Sequence, residues 1–156
     1  MPVLLAGTLI ACHTNTGALT AGQSAMVRDS VQQLTQAIAN NVSHDGPVAW
    51  LRYFESSPAF YMASEGKLVF PNIDSATGFI NKVLIKNFLG IQLRWSDVRI
   101  DPYTLTLAGI AAGYHEVLTD VSGKTISSDG YFTGTAEKLS TGWQLRNSHW
   151  SAIPVK

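Results

Sequence analysis

The chain has 156 residues, eleven Lys and Arg against eleven Asp and Glu, a single cysteine, and 46% hydrophobic residues. That length holds one domain with a real core, and so apolar a composition excludes a disordered chain. The basic residues are scattered over a chain of zero formal charge, which removes nucleic acid as a partner, and a lone cysteine excludes a disulfide framework or a thiolate metal site, so neither metal nor cofactor is expected.

Val3 to Ala11 is an uncharged run of small and aliphatic residues, too short to span a bilayer but fitting the apolar part of a secretory signal. Leu9-Ile10-Ala11-Cys12 matches the bacterial lipobox, in which a peptidase cuts before a lipidated cysteine. The expectation is a signal over residues 1–12, lipidation at Cys12 and an exported protein held on the membrane by that anchor alone. No Lys or Arg follows Met1 closely, and the alternative is an apolar tail with a chance cysteine on a cytoplasmic protein. Residues 13–22, rich in Thr, Gly, Ala and Asn, read as a tether, and the domain follows over 23–156.

From Ser24, Val27, Val31, Leu34 and Ile38 recur at helical spacing, and His44-Asp45-Gly46 ends that helix. Pro47 suits the first turn of a second helix carrying Trp50, Leu51 and Phe54. Ala59 to Met62 and Lys67 to Phe70 read as strands about a Glu65-Gly66 turn. Asp74 or Ser75 then caps a third helix bearing Phe79, Ile80, Val83, Leu84 and Phe88. Beyond Gly90 the period becomes two, with strands near 91–100, 105–119, 125–139 and 143–152. Helices followed by a meander make the fold class α+β.

The pieces Trp50-Leu51-Arg52-Tyr53-Phe54, Pro58-Ala59-Phe60-Tyr61, Leu93-Arg94-Trp95-Ser96-Asp97-Val98, Gly130-Tyr131-Phe132-Thr133-Gly134 and Gly142-Trp143-Gln144-Leu145 with His149-Trp150-Ser151 occur in this order. In them the chain resembles the SnoaL-like polyketide cyclase and ketosteroid isomerase-like branch of the nuclear transport factor 2-like superfamily, over about Ser24 to Ser151. The resemblance implies a curved, antiparallel-rich sheet wrapped as a cone around three helices, a pocket at the wide end, and homodimers formed through the outer sheet face. The ketosteroid isomerase-like base and tyrosine fall near Ala63 and Ile38, neither of which moves a proton; Glu65 stands two residues from the first.

On the last strand Trp143, Leu145, Asn147, His149 and Ser151 share one parity, which points them into the cone and makes His149 a candidate acid or base. The other reading of His149 is a hydrogen bond that holds the sheet's end. Asp97 and Arg99 form an alternating pair that either faces the pocket or, if a bulge at Ser96-Asp97 exchanges the faces, makes a surface ion pair. Limonene epoxide hydrolase-like members of the resembled fold hold a water with two acids and an arginine. Tyr61, Trp95, Tyr114, Tyr131 and Trp143, with Arg99 and Asn147, are the candidate lining of a pocket for an apolar or aromatic small molecule. Three functions stay open: a non-catalytic binder, an isomerase, cyclase or dehydratase-like enzyme using His149 with Asp97 or Glu65, and a dimeric interaction module.

Overall fold

The computed structural model describes residues 18–154; the expected signal, Cys12 and residues 13–17 of the expected tether lie outside them. Helix α1 runs Ala21–Asp45, three residues earlier than the apolar stripe suggests, because Thr20 caps it. The Thr20 side chain accepts from the Gln23 amide and the Gln23 side chain accepts from the Thr20 amide, which satisfies two otherwise orphaned donors. Val27, Val31, Leu34, Ile38 and Val42 are buried along one face. Gly46 ends the helix at φ 76°, in the left-handed region, with its amide on the Val42 carbonyl. Pro47–Arg52 is a 3-10 turn with Pro47 at its start, and it delivers Trp50 to the core.

Strands β1 (Tyr61–Ser64) and β2 (Lys67–Phe70) form a hairpin about Glu65 and Gly66, whose φ values of 48° and 74° give the turn its hand. Helix α2 (Ile73–Phe79) is capped by Asn72, with Ser75 as its reciprocal partner, rather than by Asp74 or Ser75. A π turn, Ile80–Leu84, then leads into α3 (Ile85–Asn87). Its wider winding shows in the Ile85 amide, which bonds back to the Ile80 carbonyl five residues before.

Strands β3 (Phe88–Pro102), β4 (Leu107–Asp120), β5 (Thr125–Leu139) and β6 (Gly142–Ala152) follow as an antiparallel meander. The six strands lie in the order β2-β1-β6-β5-β4-β3, with β1 parallel to β6, so the sheet is mixed and open. It curves over α1, which packs chiefly on β3. The fold is the expected α+β cone.

Two bulges set which side chains enter the cone. On β3, Ser96 pairs with Gly113 and Arg99 with Ala111, so Asp97 and Val98 together face one residue of β4, and Asp97 takes φ 49°. Ile91, Leu93 and Trp95 point inward before the bulge, Val98 and Ile100 after it. On β6, Ala136 pairs with Leu145 and Thr135 with Asn147, which leaves Arg146 as the extra residue. Trp143 and Leu145 pack inward before it, Ser148 and Trp150 after it.

Candidate functional site

A cavity of about 240 Å³ opens between the 3-10 turn, the β1–β2 hairpin, the π turn and the Asp120 end of β4. Six aromatic side chains line it: Trp50, Phe54, Phe70, Phe79, Tyr114 and Trp150. Met62, Ile80, Leu84, Ile91 and Leu118 complete its apolar wall. Each arrives by a local rule. Phe79 closes α2, and Ile80 and Leu84 open and close the π turn that follows it. Tyr114, Glu116 and Leu118 reach it by strict alternation along β4, after Ala108, Ile110 and Ala112.

The aromatic rings form one packed group. Trp150 meets Trp50 at 5.6 Å, nearly perpendicular, and Tyr114 and Phe132 at 4.9 Å each, while Trp95 lies 5.6 Å away. Such edge-to-face contacts each add to the stability gained from burial alone. Phe70 and Phe79, 5.3 Å apart, join the hairpin to the helical wall.

Three polar side chains interrupt this lining: Ser64, Tyr114 and Glu116. Burial alone raises the Glu116 carboxyl above its ordinary range; no hydrogen bond or neighbouring charge contributes. Burial also raises the Tyr114 phenol, with smaller contributions from the negative charge of Glu116, Glu65 and Asp129. Among the described residues, no Lys, Arg or His side chain lines the cavity.

Of the candidates named from sequence, only Tyr114 lines it. His149 is exposed on the outer face, paired in register with Ala63 and Thr133, because the Arg146 bulge exchanges the parity of β6 beyond Leu145. The reading that pointed it into the cone is therefore corrected, and its neighbour Trp150 takes that place. Asp97 is exposed in its bulge and Arg99 is exposed beside it, as expected if a bulge exchanged the faces; the surface ion pair, however, joins Arg99 to Asp101 at 3.0 Å and not to Asp97. Tyr61 and Tyr131 are about half exposed and stand outside the cavity.

Trp95 packs in the core, its indole N–H donating to the Thr35 carbonyl at 2.9 Å. Trp143 packs against the core and Asn147 lies at the bulge, neither of them lining the cavity. Glu65 is held in the hairpin turn, where its carboxylate accepts from the Ala152 amide at 2.6 Å. Ile38 is a core residue, and Ala63 sits in mid-strand. Thus His149, Asp97 and Glu65 do not converge on the cavity.

The residue missed in the sequence is Glu116. Its signal is a single acid in the inward set Ala108, Ile110, Ala112, Tyr114, Glu116 and Leu118, in a strand free of bulges there. Trp150 carries no comparable signal, because the bulge that turns it inward is invisible in the residue alternation.

No family model and no curated protein sequence matches the chain. Solved structures do. A nuclear transport factor 2-like superfamily protein from Salmonella enterica serovar Typhimurium aligns with a TM-score of 0.70 at 18% identity, over 85% of this chain and 94% of that one. The hexachlorocyclohexane dehydrochlorinase LinA-type3 from Novosphingobium barchaimii gives 0.68 at 11%, over 88% and 93%. A nuclear transport factor 2-like protein of unknown function from Shewanella oneidensis gives 0.60 at 20%, over 80% and 98%. With these likenesses, the helices, the curved mixed sheet and the aromatic cavity identify the chain's architecture as the nuclear transport factor 2-like fold.

Proposed function

We propose that the protein is a small-molecule-binding module whose cavity takes an apolar or aromatic compound. The observation that carries this reading is the lining itself: six aromatic rings and five aliphatic side chains around about 240 Å³, with Glu116 as the only carboxyl among the described residues. Sites for small ligands are concave, mostly apolar and oriented by a few polar groups, and this one has that composition. Its volume falls below the roughly 300 Å³ at which sites for drug-sized ligands begin, which favours a compound of one ring. The test is a titration with ethylbenzene followed by amide chemical shifts. Shifts confined to Met62, Phe79, Tyr114 and their neighbours support the reading, and an unchanged spectrum at saturation removes it.

A catalytic reading has one observation behind it, the raised carboxyl of Glu116, since an acid poised above its ordinary range is suited to proton transfer. It lacks a second proton-carrying group of matched range in the cavity. Binding therefore ranks first. The proposal extends to export through lipidation at Cys12 and to a homodimer formed through the outer sheet face. Support for the dimer comes from exposed Tyr61 and Tyr131 on that face. A monomer by sedimentation at high concentration would remove it.

A further inference from the structure

The cavity's charge pattern narrows its ligand beyond apolar. Among the described residues Glu116 is the only carboxyl in the lining, no Lys, Arg or His side chain answers it, and no hydrogen bond supports its ionised form. An anionic ligand would meet that carboxyl with like charge and find no cation. The same cavity is lined by three electron-rich rings, Trp50, Trp150 and Tyr114, with Trp150 at 5.6 Å from the first and 4.9 Å from the last. The negative faces of such rings attract an organic cation, most strongly once water is excluded.

We infer that the ligand is a small aralkyl amine bound as its cation, with the ammonium on Glu116 and the ring among the aromatic side chains. This rests on the proposed binding role of the cavity and names the chemistry it selects. An ammonium supplies what the chain withholds from Glu116: a counter-charge, and donors for a charge-assisted hydrogen bond. The aromatic walls take the hydrocarbon part and the cation–π attraction together, and the volume limits the ligand to one ring with a short arm.

Binding is then linked to protons. Burial favours the neutral carboxyl in the empty site, whereas an ammonium favours the ionised one, so uptake of the amine expels the Glu116 proton wherever it was still bound. Affinity rises with pH until Glu116 is ionised in the empty site, and falls again where the amine itself deprotonates. The groups that face this titration are Tyr114 on the same strand, and Glu65 and Asp129 through their charge on Tyr114. Leu93 on β3 and Ser128 on β5, the cross-strand partners of Glu116, carry no charge.

The experiment compares phenethylamine, 2-phenylethanol and 3-phenylpropionate on the full chain at pH 7.5, by the fluorescence of the cavity tryptophans. Expected is at least tenfold tighter binding of the amine than of the alcohol, and no binding of the acid. Glu116→Gln, nearly equal in shape, should bring amine and alcohol to the same affinity. Equal binding of amine and alcohol by the unaltered protein overturns the inference, and so does an amine preference that survives in Glu116→Gln. Failure of the amine with retained ethylbenzene binding overturns it too, and leaves the apolar binding role standing. Loss of ethylbenzene binding removes both.

Discussion

Gly130 of β5 stands directly against Tyr114 of β4: a β-carbon at residue 130 would lie 2.5 Å from the ring's Cζ and from its hydroxyl oxygen. The backbone of Ser151 closes the same space from β6. The missing side chain is therefore what lets the Tyr114 ring lie over the sheet and wall the cavity. Gly130→Ala must displace the ring or part β5 from β6, and overpacking of this kind costs about 1 to 3 kcal/mol. Gly90→Ala, where a β-carbon meets nothing within 4 Å, is the matched control. Urea midpoints for the two should separate clearly, with Gly130→Ala lower.

Trp150 and His149, consecutive in sequence, should respond in opposite ways. Trp150 contacts four other rings, so Trp150→Ala is expected to lose about 3 to 5 kcal/mol and the integrity of the cavity. His149→Ala removes an exposed side chain and should stay within about 0.5 kcal/mol. Ethylbenzene binding should survive the histidine substitution unchanged between pH 5 and 8. Equal losses for the two would mean that β6 is set in the other register.

That pair also marks where the sequence could be read and where it could not. Spacing and turn residues carried the face of α1, the hairpin at Glu65-Gly66 and the four long strands, and offered the bulge at Asp97 as one of two readings, because each has a local signature. The Arg146 bulge has none. It is fixed by pairing with β5 on one side, while β1 joins β6 in parallel on the other, contacts between segments far apart in the chain. Parity carried past it put His149 inside and Trp150 outside. Glu116 was within reach, since β4 alternates without a break through it, but one acid in a strand reads as an edge residue until its neighbours are known to half-bury it and desolvate its carboxyl.

Asn72 caps the helix that supplies Phe79 to the cavity and runs into the π turn that supplies Ile80 and Leu84. Asn72→Ala removes the acceptor for the Ser75 amide, at a cost of about 0.5 to 2 kcal/mol. Only Ala76 and Ile80 are fully buried along 73–87, so the loss should fall on this wall before the rest of the fold. Hydrogen exchange is expected to quicken there while α1 and β4 keep their protection. Uniform quickening throughout the chain would show instead that the wall and the core open together.

Cys12 is the test of export. If the lipobox is used, the mature chain begins at Cys12 with a mass raised by the attached lipid, and it sediments with membranes. Cys12→Ser should leave an uncleaved chain in the soluble fraction. A wild-type protein that keeps residues 1–11 and carries no lipid would refute the export proposal without touching the cavity.

Glu116 gives the stability of the protein a pH dependence whose sign is opposite to that of an ordinary paired carboxylate. Its folded pKa is raised above the ordinary glutamate value, so on raising the pH the unfolded chain ionises first. Between the two values the folded state holds the extra proton, and stability falls as pH rises; above the folded value the loss is complete and constant. Below about pH 4 both states are protonated and Glu116 contributes nothing. Asp45 and Asp120, held low by hydrogen bonds, act in the other direction, but both are present in wild type and in Glu116→Gln and cancel in the difference. The melting temperature of Glu116→Gln minus that of wild type should therefore start near its smallest value at pH 4, grow as the pH rises through the ordinary glutamate range, and then level off. A bound amine reverses the trend, because it favours the ionised carboxyl: with phenethylamine present, wild type should gain on Glu116→Gln as the pH rises toward 8. A difference that stays flat from pH 4 to 8 without ligand would mean that Glu116 is solvated in the folded protein and that the cavity wall around it is open to water.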